Sequence, residues 1–136
     1  YDGYIFYVSS NDDKRVISKI KQSQIKVFDI LQDLNKDEIK EVYGIDSSLY
    51  KDYKVKTAWI VKANVTEYLL FEPKNNKSAK EIEKLMEAYY SKKESTWEKD
   101  SDNLNLLQNR YTGEYNGYLV YIVSKDNDLV LQLIKK

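Results

Sequence analysis

Tyr115-Asn-Gly-Tyr-Leu-Val-Tyr-Ile-Val-Ser-Lys-Asp126, continuing to Lys136, decides how the chain is organised, because its opening residues repeat it. Laid without a gap, Tyr1-Asp-Gly-Tyr-Ile-Phe-Tyr-Val8 falls on Tyr115-Asn-Gly-Tyr-Leu-Val-Tyr-Ile122. Further on, Ser10, Asp12, Val16, Ile20 and Lys21 meet Ser124, Asp126, Val130, Ile134 and Lys135. An internal repeat is read before anything else, since it sets the unit of architecture. Each copy has an aromatic and β-branched run, then polar capping residues, then apolar residues at helical spacing, the pattern of a strand followed by a helix. The separation of the copies is the size of a small domain. Residues 1–21 are therefore expected to be the closing strand and helix of a preceding domain copy, with 22–136 as one complete domain of a tandem array. A pseudo-symmetric single domain with two similar strand–helix units is the competing reading. Because an unpaired strand edge invites pairing, residues 4–8 are expected to add to this sheet or to exchange with a neighbouring molecule.

Outward from the repeat, the periodicity of the remaining chain predicts alternating short elements. Val16, Ile17 and Ile20, then Val27, Phe28, Ile30, Leu31 and Leu34, predict a helix over about 12–33. Asn35 starts a short helix carrying Ile39, Val42 and Tyr43, and Gly44 suits its left-handed C-terminal position. Asp46-Ser47-Ser48 caps a further turn with Leu49 and Tyr50. From Val55 the period changes to two, predicting a strand over 55–61, a turn at Ala63-Asn64 and a returning strand over 65–71 that Pro73 ends. Ser78 and Glu81 form a capping box for a helix that buries Ile82, Leu85, Met86 and Tyr89. Leu104, Leu106 and Leu107 predict a third strand reaching Tyr111, turned by Thr112-Gly113-Glu114. Tyr118–Val123, apolar on both sides, predicts a central strand, and Asp126 caps a final helix with Leu129, Val130, Leu133 and Ile134. The expected fold class is α+β: a four-stranded, mostly antiparallel sheet with helices on one face, plus the N-terminal strand–helix.

The bulk composition bounds the function. In 136 residues, 22 basic side chains balance 22 acidic ones, and all but Arg15 and Arg110 of the basic set are lysine. A polyphosphate needs a basic face and the composition shows no basic excess, so nucleic acid is not expected as a partner. No apolar run has the length of a membrane span. With 42% hydrophobic residues in periodic blocks a packed core is expected.

Catalytic chemistry is poorly provided. The chain has no His and no Cys, which removes histidine-based nucleophilic schemes, thiolate chemistry, disulfides and ordinary zinc sites. Glu67 and Glu72 are five residues apart and face opposite sides of a regular strand, so they read as solvated or edge positions and not as a carboxylate pair. Asp100-x-Asp102 and Asp126-x-Asp128 lack the glycine and the glutamate of a calcium loop and read as helix caps. No catalytic, cofactor-binding or metal-ligating residue is expected. The thirteen tyrosines carry the remaining signal, since tyrosine offers rigid contact area with a polar tip. Most are expected in the core or on the sheet. Tyr50, Tyr53, Trp97 and Tyr118 are the candidates for an aromatic binding patch.

The series Ile39-Lys-Glu-Val-Tyr-Gly-Ile-Asp46, Ala63-Asn-Val-Thr-Glu67, the helix over 79–90, the Trp97 region, the Asn109 strand, and Gly117-Tyr-Leu-Val-Tyr-Ile-Val-Ser124 with Asp126 resembles a family known as domain of unknown function 4358. The resemblance covers roughly residues 25–136. It departs from the family pattern at the last strand, where Asn116 precedes Gly117 and Tyr118 follows the glycine directly. The resemblance implies small extracytoplasmic domains, often on lipoproteins of Gram-positive bacteria, and it brings no active-site residue. The expectation is a non-catalytic cell-surface domain that binds a protein or cell-wall ligand or acts as a spacer, held by a lipid anchor outside this chain. A carboxylate-dependent hydrolase or enzyme-accessory module is the competing class.

Overall fold

A computed structural model describes residues 31–58 and 65–136, and the expectations for residues 1–30 and for the turn at Ala63-Asn64 lie outside the described residues. Every described element belongs to the unit Gln32–Lys136. In order this unit contains β1 (Gln32–Asp33), α1 (Lys36–Tyr43), a 3-10 turn (Ser47–Leu49), β2 (Tyr50–Thr57), β3 (Glu67–Pro73), α2 (Asn76–Thr96), α3 (Ser101–Gln108), β4 (Tyr111–Tyr115), β5 (Tyr118–Val123) and α4 (Asn127–Ile134). The fold is α+β, and every strand pairing is antiparallel in the order β1-β2-β3-β5-β4. The sheet has five strands, not four. Two of them were not expected: β1, which takes Gln32 and Asp33 out of the expected helix, and β4, which forms where a turn was expected while the third expected strand becomes a helix. Leu34 follows β1 and donates its N–H to the Val55 carbonyl at 3.1 Å, so this stretch satisfies its backbone across the sheet.

Registers align one face through all the long strands. Val55 lies opposite Leu69 and Thr57 opposite Glu67, while Leu69 lies opposite Tyr121 and Phe71 opposite Leu119. Val55, Leu69, Phe71, Leu119 and Tyr121, with Leu34, Ile39, Tyr43, Ile82, Met86, Tyr90 and Leu107, form the apolar core, beside which Thr57 and Glu67 are also buried, so α1, α2 and α3 cover this face. On α2 the buried residues are Ser78, Ile82, Met86 and Tyr90, one every four positions, a stripe that keeps one helix side on the sheet. The opposite face holds Val120 and Ile122, both fully buried. There α4 ends beside Tyr115, whose side chain shares that face.

Local chemistry sets the element ends. Asn35 and Glu38 form a reciprocal capping box on α1, and Gly44 closes it at φ 73°, where a side chain would be strained. The expected capping box at Ser78 is displaced by one turn. Asn75 caps α2, accepting from the Ser78 N–H at 2.8 Å, and Ser78 itself is buried in the helix. The third expected strand is a helix: Asp100 accepts the Asn103 N–H and α3 turns Asn103 and Leu107 inward. A short apolar run does not distinguish helix from strand by period alone. Thr112, Gly113 and Glu114 lie inside β4, and the chain reverses at Asn116 (φ 49°) and Gly117 (φ 82°). Positive φ at both positions marks the two-residue turn whose twist matches a hairpin.

β5 is central, as its sequence predicts, with β3 on one side and β4 on the other. β2 begins at Tyr50, five residues before the alternation becomes visible, because an irregularity between Tyr50 and Asp52 breaks the period of two.

Candidate functional site: a buried carboxylate held by two tyrosines and a lysine

Alternation along β3 places Glu67 on the same face as Leu69 and Phe71. It is therefore directed at the helices, and its side chain has 0% exposure. A carboxylate in that position is costly unless it is hydrogen-bonded and its charge is compensated. Three residues from two helices meet the requirement. Tyr43, the last residue of α1, donates its hydroxyl to Glu67 Oε2 at 2.5 Å. Tyr89 on α2 places its hydroxyl 3.1 Å from Oε1 and 3.3 Å from Oε2. Lys93, one turn further along α2, donates to the Tyr89 hydroxyl at 2.5 Å and stands 3.8 Å from Oε1.

The order of donors is consistent along the chain of contacts. Lysine has only donors, so Tyr89 accepts from Lys93 and spends its own proton on Glu67. Lys93 Nζ is 5.0 Å from the Tyr89 ring centre and half that from the hydroxyl, so it sits at the phenol's polar end and not over the ring face. Burial first, and the Glu67 charge second, hold the Tyr43 and Tyr89 phenols well above the usual tyrosine value. Both hydroxyls remain donors throughout the neutral range.

The rings around the carboxylate form a continuous series. Tyr43 and Tyr89 meet edge-on at 4.6 Å, as do Tyr89 and Tyr90 at 5.0 Å, and Tyr90 and Tyr121 lie tilted at 6.3 Å. At Tyr90 the Arg110 guanidinium lies 4.6 Å from the ring centre and also pairs with Glu94 at 2.5 Å. The cluster joins α1, α2, β3, β5 and the segment before β4. Among the described residues no group of acids could hold a metal ion.

Glu67 is neither solvated nor at an edge, which corrects the expectation from sequence. Its inward position was open to the simple extension of the alternation Phe71, Leu69, Glu67. Glu72 lies on the opposite side of the strand, across from Asp52, so the two glutamates do not converge.

The four candidate aromatic residues are not gathered on one surface. Tyr50 is in the core, against Phe71 at 5.3 Å and Tyr53 at 5.2 Å. Tyr53 and Trp97 are half-buried against that same core. Tyr118 is on the opposite sheet face, where its hydroxyl donates to Asp52 at 2.6 Å. That bond is the main reason its phenol is pushed up to about 12, and it also holds the Asp52 carboxyl below its usual value.

Residues 23–124 match the family model described as Domain of unknown function (DUF4358). The chain belongs to this family. The matched segment contains all four members of the buried cluster, Tyr43, Glu67, Tyr89 and Lys93, and ends before α4. No curated protein and no solved structure matches this DUF4358 chain.

Proposed function

We propose that the chain is a non-catalytic, extracytoplasmic domain that binds or spaces at the cell surface, as one unit of a tandem array. The observation that carries this reading is the state of Glu67. Both of its oxygens are occupied by tyrosine hydroxyls, a lysine compensates its charge, and water does not reach it. A general acid or base has to meet a substrate proton, whereas this carboxylate is committed to the framework. The array is supported by the shared Tyr-x-Gly-Tyr-x-x-Tyr of residues 1–7 and 115–121, and the extracytoplasmic address by the resemblance of its motifs. Of the four candidate rings, Tyr118 is the one whose polar tip lies with exposed Asp52 beside solvent, and it is the position offered to a ligand.

The absence of cysteine supplies a test of the address. A single exposed substitution, Lys51→Cys, gives this cysteine-free stretch one thiol, read against the unsubstituted protein as the control. In intact cells a membrane-impermeant maleimide should label it as fully as in lysed cells. Labelling only after lysis would place the domain inside the cell and refute the reading.

A further inference from the structure

We infer that the β4 edge, together with α4, is a self-complementary surface through which two copies of this chain associate. Among the described residues β4 pairs only with β5. The two-residue turn makes Tyr115 and Tyr118 a hydrogen-bonded pair, and alternation then makes Gly113 with Val120 and Tyr111 with Ile122 the next such pairs. The N–H and C=O groups of Thr112 and Glu114 consequently point away from β5. Exposed edges are normally protected by lysine, proline or a bulge. β4 contains no lysine and no proline, its single charge is Glu114, and its register with β5 is unbroken.

A second observation lies beside that edge. α4 is tied at its start to Asn109, two residues before β4, and at its end to Tyr115, the last residue of β4. Asn127 donates to the Asn109 carbonyl at 2.8 Å, and the Tyr115 hydroxyl reaches the Lys135 carbonyl at 3.4 Å. The helix thus runs parallel to β4, with its closer packing on β5. It carries Leu129, which at 49% is the one exposed large apolar side chain among the described residues.

The fitting occupant is a second copy. A twofold axis through Gly113 pairs Thr112 with Glu114 of the other copy, so the two residues with outward backbone groups bond to each other and no two glutamates are opposed. The same axis sets the two α4 helices antiparallel, with Leu129 of one near Leu133 of the other. Charge favours this arrangement, because the start of α4 carries Asp126 and Asp128 against Lys125, a net negative charge, and its end carries Lys135 and Lys136. Each acidic end then meets a basic end. One patch meeting itself about a twofold axis is the commonest form of closed assembly.

Sedimentation equilibrium of the 136-residue chain over a concentration series tests this, alongside two variants. Glu114→Pro removes an outward N–H and leaves the β4–β5 ladder intact, and Leu129→Asp places a charge at the helix contact. The expected result is a concentration-dependent dimer whose Kd rises about tenfold or more in each variant, a change of about 1.4 kcal/mol. Hydrogen exchange of the unaltered chain gives an independent readout. The Thr112 and Glu114 amides should exchange fast when dilute and slowly when concentrated. A monomer at every concentration, or a dimer indifferent to both substitutions with these amides unprotected, overturns the inference.

Discussion

The Tyr43 hydroxyl lies 2.5 Å from Glu67 Oε2 inside the core, across 24 positions of sequence. That bond ties the C-terminus of α1 to the first residue of β3, within the sheet. It depends on Gly44, because the left-handed turn after Tyr43 ends the helix at the residue whose ring must enter the core.

Removing this hydroxyl leaves a buried carboxylate oxygen short of a donor. Tyr43→Phe should therefore destabilise the domain by about 1.5–3 kcal/mol, the range for a hydrogen bond to a charged group. Urea unfolding followed by tryptophan fluorescence measures it. A change below about 0.5 kcal/mol would show that the short contact carries no stability.

Alkaline pH should unfold the domain early. Phenols ionise near pH 10 in the unfolded chain, while burial, foremost, keeps Tyr43, Tyr89 and Tyr90 protonated well above that in the folded one. Tyr50 is likewise pushed up to about 12. Above about pH 10 the unfolded state therefore binds fewer protons than the folded state, and stability falls as pH rises. The stabilisation is fully present below that pH and is lost on the way to the folded values. Denaturant midpoints should be flat from neutrality to about pH 9 and drop steeply beyond about pH 10. The share of tyrosinate absorbance due to the buried phenols should appear only with unfolding; ionisation of every tyrosine at constant fold would contradict their burial.

The displaced start of α2 has its own test. Asn75→Ala should cost about 1 kcal/mol, the usual loss of an N-cap. Ser78→Ala should cost clearly less, since the Ser78 N–H is the group being capped. The reverse order would return the cap to Ser78.

Much of this architecture was legible where one local rule acted without competition. Asn35 and Gly44 bracket α1 by capping chemistry, Asp126 opens α4, and the uniform apolarity of Tyr118–Val123 marks a strand covered on both faces. The failures have physical causes. Leu104, Leu106 and Leu107 form too short a run to show a period, and only the Asp100 cap distinguishes helix from strand. Gly113 drew the turn into β4, although Asn116-Gly117 is the stronger hairpin signal because both residues tolerate positive φ. Gln32–Asp33 has no pattern of its own and is a strand because β2 offers it an edge.

The site was less legible than the fold. Glu67 reads as polar and therefore as exposed, and its burial depends on partners drawn from residues 43, 89 and 93, which no sequence spacing relates to it. The i, i+4 placement of Tyr89 and Lys93 was visible, but the partner that gives it meaning was not.

That Glu67 is a structural clamp is tested most directly by a double-mutant cycle with Lys93. Lys93→Met alone strands the buried charge and should cost about 3 kcal/mol or more. Adding Glu67→Gln removes that charge, so the double variant should lose less than the two single losses combined. The coupling expected for groups in one network is about 1–3 kcal/mol. Additive effects, with Lys93→Met as stable as the unaltered chain, would contradict the clamp.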